Sequence, residues 1–283
     1  MALFKKLLRK STLFAVRHYL NTITAVNFKK GGQKAWEIFS KPRQGKPNAI
    51  QKKYLAKAQQ EVLYFEDTAT QVYFWAGEKP PILLLHGWES NAARWKPLIT
   101  ELRKAGYAVV ALDAPAHGGS GGYYFNPKLY AHMLNLVVEK YKPTTIVGHS
   151  VGGYTAAYYL RFFEHPSVLK AVLMAAVSDN SVLFNTYLHY IKVNQKVHEA
   201  FFSYFKDTFG ALPTDLKAHD FAKQFSEKAL IIHDVEDEVI PLHNGEAIHQ
   251  SWQGSQFIRT EGLGHRLRDK QVDRWIVDFI ERE

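Results

Sequence analysis

Ser150 stands in Gly148-His149-Ser150-Val151-Gly152, between the β-branched run Thr144-Thr145-Ile146-Val147 and the helical pattern Tyr154-Thr155-Ala156-Ala157-Tyr158-Tyr159-Leu160. A strand, sharp turn and helix of this kind push a hydroxyl out above a sheet edge, at a helix N-terminus. The flanking glycines remove Cβ atoms that would collide around a strained turn residue. A serine hydroxyl is a poor nucleophile at neutral pH, so the turn means something chemical only if a base and a charge-stabilising pocket lie elsewhere in the chain. His265, in the glycine-flanked stretch Glu261-Gly262-Leu263-Gly264-His265, is a candidate base. Asp234, Glu236, Asp237 and Glu238 follow the apolar pair Ile231-Ile232 and supply candidate acids.

The elements that must position these groups are short apolar strands separated by helices. Strands are expected at Pro81–His86, Tyr107–Asp113, Thr144–His149, Leu169–Ala175, Ala229–His233 and Gln256–Thr260, with helices at 92–105, 127–141, 151–163 and 271–280. This alternation implies βαβ units and a mostly parallel sheet covered on both faces, and ligands on such sheets sit at the carboxyl ends of the strands. Val62–Phe65 and Gln71–Trp75 flank a polar turn and predict an antiparallel hairpin ahead of them. Each polar candidate falls at a carboxyl strand end, His86-Gly87-Trp88 and Asp113 through Ser120 included. About fifty residues between Ala176 and Ala229, rich in Phe and Tyr, break the alternation; they predict two to four helices forming a cap over the strand ends.

The 283 residues carry a net charge of +9, distributed unevenly. Residues 1–60 hold 14 Lys/Arg and a single acid, Glu37, whereas the other 223 residues hold 22 basic and 26 acidic side chains. The basic character therefore belongs to the N-terminal segment and not to the globular part. Residues 3–10 place Leu3, Phe4, Leu7 and Leu8 opposite Lys5, Lys6, Arg9 and Lys10, a basic amphipathic helix that suits either an anionic membrane surface or an arm packed on the protein. Lys29-Lys30-Gly31-Gly32 reads as a break and Lys41–Pro47 as a loop. Cysteine is absent, which excludes disulfides and thiolate chemistry. No run of 18 uncharged apolar residues occurs, and lysines and arginines interrupt any signal-peptide core, so a cytoplasmic location is expected.

These motifs resemble those of the α/β-hydrolase superfamily, in its serine-dependent form with a helical cap. Gly148-His149-Ser150-Val151-Gly152-Gly153 is similar to the family's nucleophile elbow, His86-Gly87-Trp88 to its oxyanion loop and Gly262-Leu263-Gly264-His265 to its base loop. The likeness covers roughly residues 60–283. It implies a core at 60–176 and 228–283, a cap at 177–227 ahead of the acid-bearing strand, and a separate helical segment at 1–59. The family order of nucleophile, acid and base falls on Ser150, Asp237 and His265, and the oxyanion-binding amides on Trp88 and Val151. Trp88 and His149 are further expected to line the substrate pocket. Two departures stand out: Asp234 replaces the usual glycine of the acid loop, and Ala116 a glycine after the Asp113 strand.

What the resemblance implies is hydrolysis of a small or medium carboxylic ester through an acyl-enzyme. Thioester hydrolysis, carbon–carbon bond hydrolysis and small-molecule reception without turnover use the same parts. Serine at 150 argues against the haloalkane dehalogenase and epoxide hydrolase chemistry that uses aspartate there. No nucleotide fingerprint, nucleic-acid module or zinc-type histidine spacing occurs, so no cofactor, metal or nucleic-acid partner is expected. The expected partner is a small ester, with peripheral membrane contact through residues 1–20 as a further expectation and the oligomeric state left open.

Overall fold

A computed structural model describes the backbone of residues 2–282 and the side chains of residues 11–282. The amphipathic face expected over residues 3–10 lies outside the described side chains. Chain order runs α1 (Ala2–Val26), α2 (Phe28–Ser40), α3 (Ala49–Leu55), β1 (Gln59–Phe65), β2 (Thr68–Trp75), β3 (Lys79–Leu85), α4 (Lys96–Lys104) and β4 (Tyr107–Leu112). Next come α5 (Pro127–Tyr141), β5 (Thr145–His149), α6 (Val151–Phe162), β6 (Lys170–Met174), α7 (Asn180–Ile191) and α8 (Gln195–Phe209). The chain closes with α9 (Ala218–Ala222), β7 (Lys228–Asp234), α10 (His243–Ser251), β8 (Gln256–Thr260) and α11 (Lys270–Glu281). Among the described residues no helix is long and apolar enough to cross a membrane.

The eight strands form one sheet in the order β1-β2-β4-β3-β5-β6-β7-β8. β1 and β2 make the expected hairpin and β2 pairs antiparallel with β4, while every later pairing is parallel. Because side chains alternate along a strand, a buried parallel sheet needs apolar residues on both faces. Ile82, Leu84, Val109, Ala111, Val147, Val172, Leu230 and Ile232 form one core with Leu98 and Ile99 of α4 and Val272 and Ile276 of α11. The alternate set, Leu83, Leu85, Val110, Leu112, Ile146, Leu173 and Ile231, is equally buried. Parallel register then lines up the strand ends: Leu85 pairs with Leu112 and with Gly148, and His149 with Met174. Residues that follow those ends share one rim.

The chain divides into two compact units, Met1–Lys41 with Asp179–Lys217, and Pro42–Ser178 with Ala218–Glu283. This differs from the division expected above. Leu20 of α1 and Ala35 and Trp36 of α2 share a core with the inserted helices and so do not form a separate segment, whereas residues 42–59 and α9 belong to the sheet unit. The physical reason is an aromatic cluster that no local pattern announces. Trp36 of α2 packs against Phe184 of α7 and Phe201, Phe205 and Phe209 of α8, with ring centroids 5.2 to 6.0 Å apart.

Gly31 and Gly32 correct a second expectation: they do not break the helix but lie within α2. The break is at Asn27, whose side chain caps α2 by accepting from Lys30 N–H at 2.9 Å. The glycines are points of close approach. A Cβ on Gly32 would lie 2.1 Å from the carbonyl oxygen of Ala200 in α8. Gly32→Ala, which elsewhere in a helix would favour folding, is therefore expected to destabilise the helical unit by about 1–3 kcal/mol, because a backbone carbonyl cannot swing aside. Urea unfolding of a variant that keeps Trp36 as its one tryptophan, followed by fluorescence with and without Gly32→Ala, checks this; an unchanged midpoint would contradict it.

Candidate active site

Ser150 is held at φ +56 and ψ −123 at the N-cap of α6, a strained position for a non-glycine residue. Its N–H donates to Met174 O at 2.9 Å, and its side chain makes no capping bond to the helix. The turn is tight enough that a Cβ on Gly152 would come within 2.4 Å of Leu85 O, and one on Gly148 within 2.6 Å of Gly152 O. Gly87, which opens the loop after β3, passes so near that its own Cβ would lie 2.9 Å from Ser150 Cβ. Strain at 150 is thus imposed by packing on both sides of the turn.

The structure brings His265 to this hydroxyl. His265 Nε2 lies 3.1 Å from Ser150 Oγ, and Nδ1 lies 2.8 Å from Asp237 Oδ2. Nδ1–H donates to the carboxylate, which leaves Nε2 unprotonated to accept from the serine O–H. The Asp237 side chain is fully buried, and its other oxygen accepts from the Val239 and Ile240 N–H groups at 2.9 and 2.8 Å. Burial alone would raise this carboxyl, but hydrogen bonds from His233, His265 and the Ile240 amide outweigh it and hold it well below the usual carboxylate range. His233 Nε2, 2.7 Å from Ile240 O and 3.4 Å from Asp237 Oδ2, fixes the same loop from behind.

The other acids of the segment go elsewhere. Glu236 and Glu238 are exposed. Asp234, still in β7, accepts from Thr260 Oγ1 at 2.6 Å, Leu263 N–H at 3.0 Å and Glu236 N–H at 2.9 Å. Opposing its desolvation, these bonds keep it ionised below its ordinary range. The residue standing in place of glycine therefore ties the acid loop to the base loop, and it needs no left-handed backbone to do so. Ala116, the other departure, does adopt a left-handed φ of +64.

The oxyanion candidates sit as follows. Val151 begins α6 directly after Ser150, where the first amides of a helix have no intrahelical acceptor. Trp88 is half-buried, its ring edge-on to His117 at 5.3 Å and Phe125 at 5.6 Å. Two neutral histidines brace its loop. His86 Nε2 accepts from Ala114 N–H at 2.9 Å while Nδ1–H donates to Gly87 O at 2.8 Å. His117 Nε2 accepts from Glu89 N–H at 3.0 Å while Nδ1–H donates to Pro115 O at 2.8 Å. Asp113 completes the bracing by accepting from Ala92 N–H, Gly119 N–H and Tyr73 O–H.

Burial pushes His86 and His117 down to about 4 from an unfolded value of 6.5. Between those values the unfolded chain binds more protons than the native one, so stability falls as pH is lowered through this window. Each histidine is expected to contribute roughly 2 kcal/mol of that loss by pH 4.5. Buried Asp113, raised by desolvation, works in the opposite sense. The clean observable is consequently a difference: His117→Gln should show a smaller drop in unfolding free energy between pH 7 and 4.5 than the wild type. An equal drop would contradict the assignment.

His149, expected to line the pocket, is buried, and its Nε2–H donates to the carbonyl of His265 at 2.7 Å with ring centroids 4.9 Å apart. Its Nδ1 lies against Gly87. The side chain therefore joins the base loop to the loop after β3, a role that sequence spacing gave no sign of. Burial, then Arg94, lowers it well below the ordinary histidine range, so it stays neutral.

A family model for the alpha/beta hydrolase fold matches residues 80–217. With the sheet order and the elbow at Ser150, this match shows the α/β-hydrolase fold. A Mycoplasma pneumoniae protein provisionally named an esterase/lipase is 30% identical over 154 residues, 52% of this chain and 55% of that one. A bifunctional esterase/perhydrolase of Acinetobacter calcoaceticus is 35% identical over 104 residues, 35% of this chain and 38% of that one. The chain thus spans about half the length, or less, of these curated relatives. Among solved structures, an esterase from Exiguobacterium antarcticum superposes with a TM-score of 0.61 at 21% identity, covering 79% of this chain and 100% of that one. A meta-cleavage product hydrolase from Pseudomonas fluorescens superposes at 0.58 with 21% identity, covering 80% and 98%; at this identity the likeness is one of fold.

Proposed function

We propose that the protein is a serine hydrolase that cleaves carboxylic esters of small or medium acyl substrates through an acyl-enzyme. The observation that carries this reading is the His265 imidazole bridging Ser150 Oγ at 3.1 Å and Asp237 Oδ2 at 2.8 Å. In the first half-reaction Ser150 Oγ bonds to the ester carbonyl carbon as its proton passes to His265 Nε2. Asp237 stabilises the imidazolium so formed. The tetrahedral oxyanion accepts from the Trp88 and Val151 N–H groups, each donor contributing on the order of 3 kcal/mol in sites of this kind. The carbonyl then re-forms, the alkoxide leaves with the proton from His265, and the acyl group remains on Ser150. Water repeats the sequence with His265 as base and releases the acid.

Rapid-mixing kinetics with p-nitrophenyl esters of increasing chain length test this reading. A burst of p-nitrophenol stoichiometric with enzyme, followed by slower turnover, is expected where deacylation limits the rate. Ligand binding with neither burst nor turnover on any ester or thioester would overturn the reading in favour of a receptor.

A further inference from the structure

The basic loop between α2 and α3 has no part in the triad, yet it is built into the sheet unit beside the rim. Arg43 N–H donates to Glu89 Oε1 at 2.9 Å, and Lys46 Nζ donates to Gly118 O at 2.8 Å. Gly45 O accepts from Asn91 Nδ2 at 3.1 Å and from Gly118 N–H at 3.2 Å. Gly45 itself has φ +105, and a Cβ there would lie 2.9 Å from His117 Cδ2. A side chain at 45 would therefore be both strained and obstructed, which fixes the loop in one path.

This loop, the loop after β3 and the loop after His265 border an open polar cavity of about 490 Å³ lined by Arg43, Lys46, Glu89, Asn91 and Arg268, the three cations being exposed. Its walls continue the loops that carry the candidate site: Glu89 directly follows Trp88 and bonds through its N–H to His117 Nε2, and Arg268 is three residues beyond His265. Three cations face one carboxylate, and one oxygen of that carboxylate is already bonded to the Arg43 amide. Among the described residues neither the Arg43 nor the Arg268 guanidinium has a carboxylate partner. Arg268 also lines a second cavity with Leu267, Asp269 and Asp273, and pairs with neither acid. Guanidinium groups offer parallel N–H donors matched to carboxylate and phosphate oxygens, and a cavity with a surplus of such donors at a reaction rim selects for an anion.

We infer that this cavity receives a carboxylate or phosphate carried by the substrate, so that the preferred ester is an anionic one. The inference rests on the ester-hydrolase reading above and names its substrate class. It also gives part of the basic N-terminal charge a function, since Arg43 and Lys46 belong to that segment.

The test compares p-nitrophenyl butyrate with the mono-p-nitrophenyl ester of succinic acid, which places a carboxylate on the acyl side, and phenyl acetate with 4-acetoxyphenyl phosphate, which places a phosphate on the alcohol side. In the intact protein at low salt, at least one anionic ester should exceed its neutral counterpart in kcat/KM. The double variant Arg43→Gln/Arg268→Gln keeps the Arg43 backbone bond to Glu89. It should lower that anionic-to-neutral ratio at least about fivefold. Calorimetric titration of Ser150→Ala with succinate and with phenyl phosphate needs no turnover, and adding the double substitution should weaken the bound anion's affinity by a similar factor. Turnover of all four esters with unchanged ratios, or anion binding that is undetectable or indifferent to the double substitution, removes the anion site and leaves the hydrolase reading standing. Anion binding that depends on both arginines with no turnover of any ester would retain the site and remove the hydrolase reading instead.

Discussion

Ser150→Ala is expected to lower kcat on a p-nitrophenyl ester by on the order of 10⁶-fold while leaving KM within a few-fold of wild type. On the proposed mechanism only the nucleophile is deleted: the imidazole, its carboxylate partner and the Trp88 and Val151 amides stay in place. Residual activity over water should persist, because transition-state stabilisation at the oxyanion and binding of the ester do not depend on the hydroxyl. The fold should tolerate the change, since the φ of +56 is set by the close packing of Gly148, Gly152 and Gly87 and not by the serine side chain, which makes no capping bond. Stopped-flow and steady-state assays on protein of verified thermal stability check this. Activity within tenfold of wild type would mean that another group attacks the carbonyl.

Asp237→Asn should cost about 10⁴-fold in kcat with little change in KM. The loss has a tautomeric cause. An asparagine amide can donate N–H to His265 Nδ1, which moves the imidazole proton to Nε2 and turns it toward Ser150 Oγ, so that the base can no longer accept. The cationic imidazole also loses its counter-charge in a fully buried setting. Glu236→Gln and Glu238→Gln, which alter exposed side chains, should stay within a few-fold of wild type. A mild effect of Asp237→Asn beside a severe effect of either glutamate variant would reverse the assignment.

The central sheet and the elbow were legible in the sequence because their determinants are local. Thr145 to Val147 alternate onto two buried faces, and Gly148 and Gly152 mark a close approach of strand and helix in which an added Cβ would lie 2.4 to 2.6 Å from a backbone oxygen. The order of Ser150, Asp237 and His265 could be aligned with a family pattern, although only the fold shows how residues 115 and 28 positions apart meet. What was not legible depends on partners distant in the chain. Trp36 gives no local sign that it belongs with Phe201 and Phe205, and Gly31-Gly32 resembles a helix break until the Ala200 carbonyl is seen to fill the space where a side chain would go. His149 reads as a pocket wall because its bond to the His265 carbonyl spans 116 residues, and Arg43 reads as linker because its contact with Glu89 spans 46. The substitution of Asp234 for glycine could be noticed in the sequence. Its use as a tie between two loops could not, since Thr260 and Leu263 lie on another strand and its following turn.

The most direct measurement of the central claim is the mass of the intact protein after reaction with a fluorophosphonate, followed by peptide mapping of the adduct. One equivalent on Ser150, formed by the wild type and lost or slowed by orders of magnitude in His265→Ala, is the predicted result. No adduct at all, or an adduct whose position or rate is indifferent to residue 265, would contradict the account.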